Sequence, residues 1–122
     1  MEVKRKSKRR YLLYPVKVLD PVTNQLIGFI ENITTEGMML RTGKTFRTMS
    51  RYQFKVLLSE DIHKTGHFEF SVECKWWDKD ILTGFYNAGF HLEDVSFEGY
   101  QVLNKIFHKI CCDEETICKL AA

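Results

Sequence analysis

Between Phe68 and Trp77 the chain alternates without a break, and this run limits the possible folds more than any other. Phe68, Phe70, Val72, Cys74 and Trp76 fall on one side, with Glu69, Ser71, Glu73, Lys75 and Trp77 on the other. A period of two over ten residues belongs to a β-strand with one buried face; a helix would repeat its apolar residues every three to four. Similar patterns place strands at Tyr11–Leu19 (Leu12, Tyr14, Val16 and Val18 inward), at Leu26–Ile33, and from Met38 onward. Two more fall at Tyr52–Leu58 and Tyr86–Glu93. Pro15 cannot donate to a ladder, so the first strand has an edge or a bulge there. Six strands without intervening helices specify an antiparallel barrel or sandwich.

The period then changes. Tyr100, Leu103, Ile106, Phe107 and Ile110 recur at intervals of three and four, predicting one amphipathic helix to about Cys111, capped by Asp94 or Ser96. Asp113-Glu114-Glu115 could begin a further helical turn. A chain of 122 residues supports one domain and one core. We divide it into a flexible basic arm (1–10), a body (11–112) and a tail (113–122).

Charge is divided unevenly. Residues 1–10 hold six bases and one acid, a net +5, so the remaining 112 residues, with 12 bases and 15 acids, carry −3. Such an arm by itself is a solvated terminus, but it also offers a site for an anion. The acidic body argues against a broad nucleic-acid footprint, although a small barrel binding single-stranded nucleic acid remains an alternative. No apolar run is long enough to span a bilayer, and the basic N-terminus is no secretory signal, so a cytoplasmic location without a membrane is expected. Cys74, Cys111, Cys112 and Cys118 have no disulfide-framework or zinc spacing, and reduced thiols are expected. The four histidines pair with no nucleophile or carboxylate in a recognisable catalytic arrangement, so neither an enzyme nor a cofactor is expected. Gly43-Lys44-Thr45 resembles the end of a phosphate loop, but Gly37 is one residue too far upstream and no helix pattern follows. Asn32-Ile33-Thr34 fits a glycosylation sequon without a secretory route to use it.

One turn remains to be placed. In Ile30–Leu40, apolar residues run into Asn32-Ile33-Thr34-Thr35-Glu36-Gly37 and out again. Asn32 and Thr34 can bond their own backbone, and Gly37 allows a positive φ or close approach of ligand or backbone, so an ordinary strand connection would explain the segment. Yet Asn32-x-Thr34-x-x-Gly37 resembles the [Asp/Asn]-x-Ser-x-x-Gly motif of PilZ domains, which bind the bacterial second messenger cyclic di-GMP. The Arg-x-x-x-Arg that this family carries upstream is matched in spacing by Arg5 and Arg9. Lys75-Trp76 and Tyr86-Asn87-Ala88-Gly89-Phe90 are similar to its late strands.

The resemblance covers Arg5 to about Ile110 and implies an all-β fold with a C-terminal helix, a six-stranded antiparallel barrel. It also implies a cyclic di-GMP receptor or adaptor, with the nucleotide held by Arg5, Arg9, Arg10, Asn32, Thr34 and Gly37 and output through an unidentified effector protein. Two positions depart from the pattern. Thr34 stands for the family's serine, and counting back from Pro15 puts Leu13 where many members have the second arginine. A degenerate member acting as a protein adaptor without nucleotide is therefore the alternative within the family.

Overall fold

The computed structural model describes the backbone of residues 10–112 and the side chains of residues 12–111. The strands are β1 (Arg10–Leu19), β2 (Leu26–Ile33), β3 (Gly37–Thr42), β4 (Arg51–Leu57), β5 (His67–Lys79) and β6 (Tyr86–Glu93). They are followed by the helix α1 (Phe97–Ile110) and a two-residue strand, β7 (Cys111–Cys112). Hydrogen bonds connect β2-β3-β6-β5-β4-β1, and β1 pairs again with β2, so six antiparallel strands close into a barrel. β7 lies outside that circle, paired to Tyr11 and Leu12 of β1, and was not anticipated from the sequence.

Inside, the alternating residues interlock. Val18, Leu40, Phe54, Val56, Val72, Cys74 and Ala88 are fully shielded from solvent. Phe54 and Phe90 meet edge-on at 4.7 Å, and Phe46 adds a third ring 5.0 Å from Phe90. Burying one such side chain contributes about 1.5–3 kcal/mol, so the alternating inward faces supply the drive to form a common core. Burial also raises the pKa of the Cys74 thiol by desolvation.

The helix begins at Ser96, whose Oγ accepts from the Gly99 amide at 2.9 Å, and not at Asp94. Its buried face is Gly99, Val102, Leu103, Ile106 and Ile110. Tyr100, expected on that face, is half exposed: the seam runs through Gly99 because its missing side chain lets Val95 and Phe68 close in. The helix stops at Ile110, where the extended backbone of Cys111 leads into β7. The readings made for Asp113–Glu115, for the tail 113–122 and for residues 1–9 lie outside the described residues.

Two hairpin loops share one internal design. In the first, the Asp20 amide bonds the Gln25 carbonyl and Asp20 Oδ1 accepts from Val22 and Thr23. In the second, the Asp80 amide bonds the Phe85 carbonyl and Asp80 Oδ1 accepts from Leu82. Both need a left-handed residue, supplied by Asn24 (φ 61°) and Gly84 (φ 79°). The backbone amides of Thr23 and Val22 hold the Asp20 carboxyl below its ordinary pKa.

Candidate functional site

Three strand irregularities converge where β2 approaches its turn. Along the β2–β3 ladder Ile30 faces Leu40, but Asn32 faces Met39 and Ile33 faces Met38, so one extra residue is inserted at Glu31. A regular strand would aim Asn32 into the core with Ile30; the bulge turns it out beside Met39 and lets Ile33 fill the core instead. Against β1 the slip is larger. Tyr11 faces Asn32 and Val16 faces Ile30, so Leu12–Pro15 arch away opposite Glu31 alone. Pro15 thus sits at a bulge, as its missing N–H requires. Because of this arch Tyr14 is exposed and does not join Val16 and Val18 in the core, contrary to the alternating expectation. The third irregularity falls on β5, between Cys74 and Trp76. It removes Trp76 from the inward row predicted for it and leaves the indole 44% exposed. Its ring lies across Gly89, where any Cβ would come within 2.1 Å of Nε1.

The result is a pair of adjoining grooves with Asn32 and Met39 in the wall of each. One, of about 240 Å³, is lined by the 32–37 turn together with Lys75, Trp76, Gly89 and His91. Its neighbour, of about 470 Å³, lies between the Leu12–Pro15 arch and Phe29, Glu31 and Arg41. The larger volume falls within the range of small-molecule sites, roughly 300–1,000 Å³, and the smaller lies just below it. Asn32 is 94% shielded from solvent, its exposure being 6%. Among the described residues its amide nitrogen has one recorded partner, the Met39 sulfur at 3.8 Å, a weak acceptor. Much of the hydrogen-bonding capacity of this amide is thus open to an incoming group.

Thr34 and Gly37 are engaged differently. Thr34 Oγ1 accepts from the amides of Glu36 and Gly37, both at 3.0 Å, and the Thr34 amide bonds the Gly37 carbonyl at 2.8 Å. The hydroxyl oxygen therefore shapes the turn. Gly37 has no positive φ, so of the two reasons expected for it that one does not apply. The other, close approach of backbone, does: a Cβ would sit 2.4 Å from the Phe90 carbonyl oxygen of β6. Arg10 is the first residue of β1 and pairs with Ile33, so the chain enters the barrel beside the turn. Arg5 and Arg9 lie outside the described residues.

Charge around the smaller groove is mixed. Lys75 is ion-paired with Glu73, and this contact holds the Glu73 carboxyl below its ordinary pKa. His91 Nδ1 lies 3.4 Å from Glu93 Oε1. In the larger groove the described cation is Arg41. Trp76, Lys75 and Arg41 were not singled out as site residues from the sequence. For Trp76 a signal existed only in the family's late-strand pattern, and its outward aim depends on a bulge that the alternation conceals. Irregularity in β2 did leave a trace: Ile27, Ile30 and Ile33 are spaced by three in a strand that should repeat by two, the first step beginning at the residue skipped against β1 and the second crossing the bulge at Glu31.

No protein-family model matches the sequence, and no curated protein matches it. Solved structures do. The barrel with its closing helix is the PilZ fold, and the protein has a PilZ-like domain. Over 98% of both chains it superposes on the PilZ domain with c-di-GMP of YcgR from Escherichia coli, with a TM-score of 0.68 and 15% identity. The crystal structure of YcgR in complex with c-di-GMP gives a TM-score of 0.64 at 17% identity, over 97% of this chain and 49% of that one. The Bacillus subtilis inhibitor of motility MotI/DgrA matches with a TM-score of 0.64 and 13% identity, over 86% of this chain and 48% of that one. The chain spans about half the length of these two longer proteins.

Proposed function

We propose that the protein is a cyclic di-GMP receptor that binds the nucleotide along the two grooves and passes the signal to a partner protein in the cytoplasm. The observation that carries this reading is Asn32, turned outward by a bulge at the junction of the grooves with an under-used amide, next to the point where the basic arm joins β1. Cyclic di-GMP offers two phosphates and two guanines. Arg5, Arg9 and Arg10 suit phosphate oxygens or the O6/N7 edge of guanine, which a guanidinium grips with two parallel bonds. Asn32 suits a guanine edge, and the exposed face of Trp76 suits base stacking. Thr34 and Gly37 act by holding the turn and the strand spacing that present Asn32. Charge-assisted bonds of about 1.5–3 kcal/mol each, less the ordering of the arm, reach the roughly 8 kcal/mol of micromolar affinity. The similarity to a PilZ domain solved with c-di-GMP supports the choice of ligand.

The test is calorimetric titration with cyclic di-GMP, GMP and a short oligonucleotide. Micromolar affinity for the first and much weaker affinity for the others is expected. A second reading, a protein adaptor without nucleotide, is favoured by one observation: Thr34 and Gly37 are each accounted for by the fold itself. Absence of heat at about 100 μM cyclic di-GMP, which excludes the micromolar affinity calculated above, would select it.

A further inference from the structure

Arg41 stands outside the motif, and its surroundings are unusual for a groove arginine. On β3 it faces outward two residues beyond Met39, so it lies about 7 Å along the strand from the Asn32–Met39 pair. Its guanidinium contacts Glu31 at 3.6 Å and Asp80 at 3.9 Å, and lies over the Phe85 ring at 5.3 Å. Both carboxylates are beyond hydrogen-bond distance, and the side chain is 34% exposed. Among the described residues none receives a hydrogen bond from its donors, so the contacts are electrostatic and easily exchanged. Asp80 and Phe85 are the two ends of the β5–β6 loop, joined to each other by the Asp80 amide and the Phe85 carbonyl. Asp80 works with both oxygens: Oδ1 accepts from the Leu82 amide within the loop, and Oδ2 faces Arg41. Arg41 therefore touches the groove with one side of its guanidinium and the base of a loop with the other.

We propose that Arg41 is an anion-binding residue of the larger groove and that its capture by a ligand phosphate releases the Asp80–Phe85 loop. A phosphate oxygen offers the short charge-assisted bonds that Glu31 and Asp80 do not make, so an anion in the groove outcompetes both. Withdrawal of the guanidinium leaves Asp80 Oδ2 and the Phe85 ring without their contact, and the loop is then held by its internal bonds alone. Ile81 and Leu82, 91% and 95% exposed, are carried on this loop. The inference rests on the nucleotide reading above and extends it from binding to conformational response.

Hydrogen exchange of the wild type, Arg41→Gln and Asp80→Asn, with and without saturating cyclic di-GMP, tests it alongside calorimetry on the same samples. In the wild type the ligand is expected to speed exchange of the Leu82, Gly84 and Phe85 amides by about 5-fold, the lower end of usual coupling between sites. The Asp20–Gln25 loop, built on the same internal bonds, is the reference and should not change. Arg41→Gln should bind about 10-fold more weakly, the loss of one charge-assisted bond, and show no loop response. Asp80→Asn keeps the acceptor for Leu82 but removes the competitor of the ligand, so by reciprocity it should bind about 3- to 5-fold more tightly. A wild type that binds without changing exchange at 82–85, or an Asp80→Asn variant with unaltered affinity, overturns the coupling and leaves the nucleotide reading standing. A wild type that does not bind overturns both.

Discussion

Gly37→Ala separates the two roles that a motif glycine can have. In this fold its Cα faces the Phe90 carbonyl so closely that a Cβ would lie 2.4 Å from the oxygen, about 1 Å inside ordinary contact. The obstacle is backbone, so no side-chain rotation relieves it, and β3 must shift relative to β6. That ladder runs unbroken from Gly37–His91 to Thr42–Tyr86. Phe90 also anchors the ring cluster with Phe46 and Phe54, so moving its backbone loosens the core as well. Overpacking of this kind costs about 1–3 kcal/mol, and the backbone obstacle puts Gly37→Ala at the upper end. For a domain of this size 1 kcal/mol lowers Tm by about 4 °C, so a fall of roughly 8–12 °C is expected in thermal melts. Gly43→Ala is the control. A Cβ there meets nothing within 4 Å, and φ is not positive, so the change should be neutral or slightly stabilising. If Gly37→Ala melts within about 2 °C of wild type, the expected scale for a neutral change, the close-approach argument is refuted. Lost nucleotide binding with that intact stability would reassign the glycine to the ligand.

Asn32→Ala removes an amide whose recorded partner is a thioether, so it should cost less than about 1 kcal/mol of stability while binding falls by about 1–3 kcal/mol, seen by melting and titrating one preparation. Trp76→Ala should weaken binding by about 1–3 kcal/mol, with nucleotide quenching of tryptophan fluorescence largely lost; unchanged quenching would move the stacking elsewhere. Arg5→Ala and Arg9→Ala should each reduce affinity more than Lys4→Ala or Lys8→Ala, because an ammonium neither forks nor stacks, whereas equal losses from all four would mean an unspecific electrostatic arm. Asp20, Asp61 and Glu73 have folded pKa values below their ordinary ones, held by backbone amides, Ser59 and Lys75 respectively. The stability they contribute is present above the unfolded carboxylate pKa of about 4 and is lost as pH falls through the folded values. Tm should therefore be steady from pH 7 to about 5 and fall below about 4, and Asp20→Asn should flatten part of that fall.

The barrel was legible in the sequence because its cause is local. Alternation at Phe68–Cys74 and Tyr52–Val56 assigns each residue a face, and an antiparallel sheet closed or folded on itself buries six such faces together. Ser96 and the three-to-four spacing did the same for the helix. Closure as a barrel and not a sandwich was decided by tertiary pairing: β1 bonds β2 on both sides of its arch but β4 only through Val18 and Leu19, and no periodicity encodes that choice. The site is a larger exception. Its motif was visible as residue types, but the outward aim of Asn32, the arch of Leu12–Pro15 and the emergence of Trp76 each arise from an extra residue in a ladder. A bulge exists only relative to a partner strand, so one strand's sequence shows at most an irregular rhythm, as Ile27, Ile30 and Ile33 do. The need for glycine at 37 and 89 likewise lies across the sheet, in the Phe90 carbonyl and the Trp76 ring. The chain thus determined which residues can be buried and which turn is polar. The register between strands decided which of them face a ligand, because facing is a property of pairs.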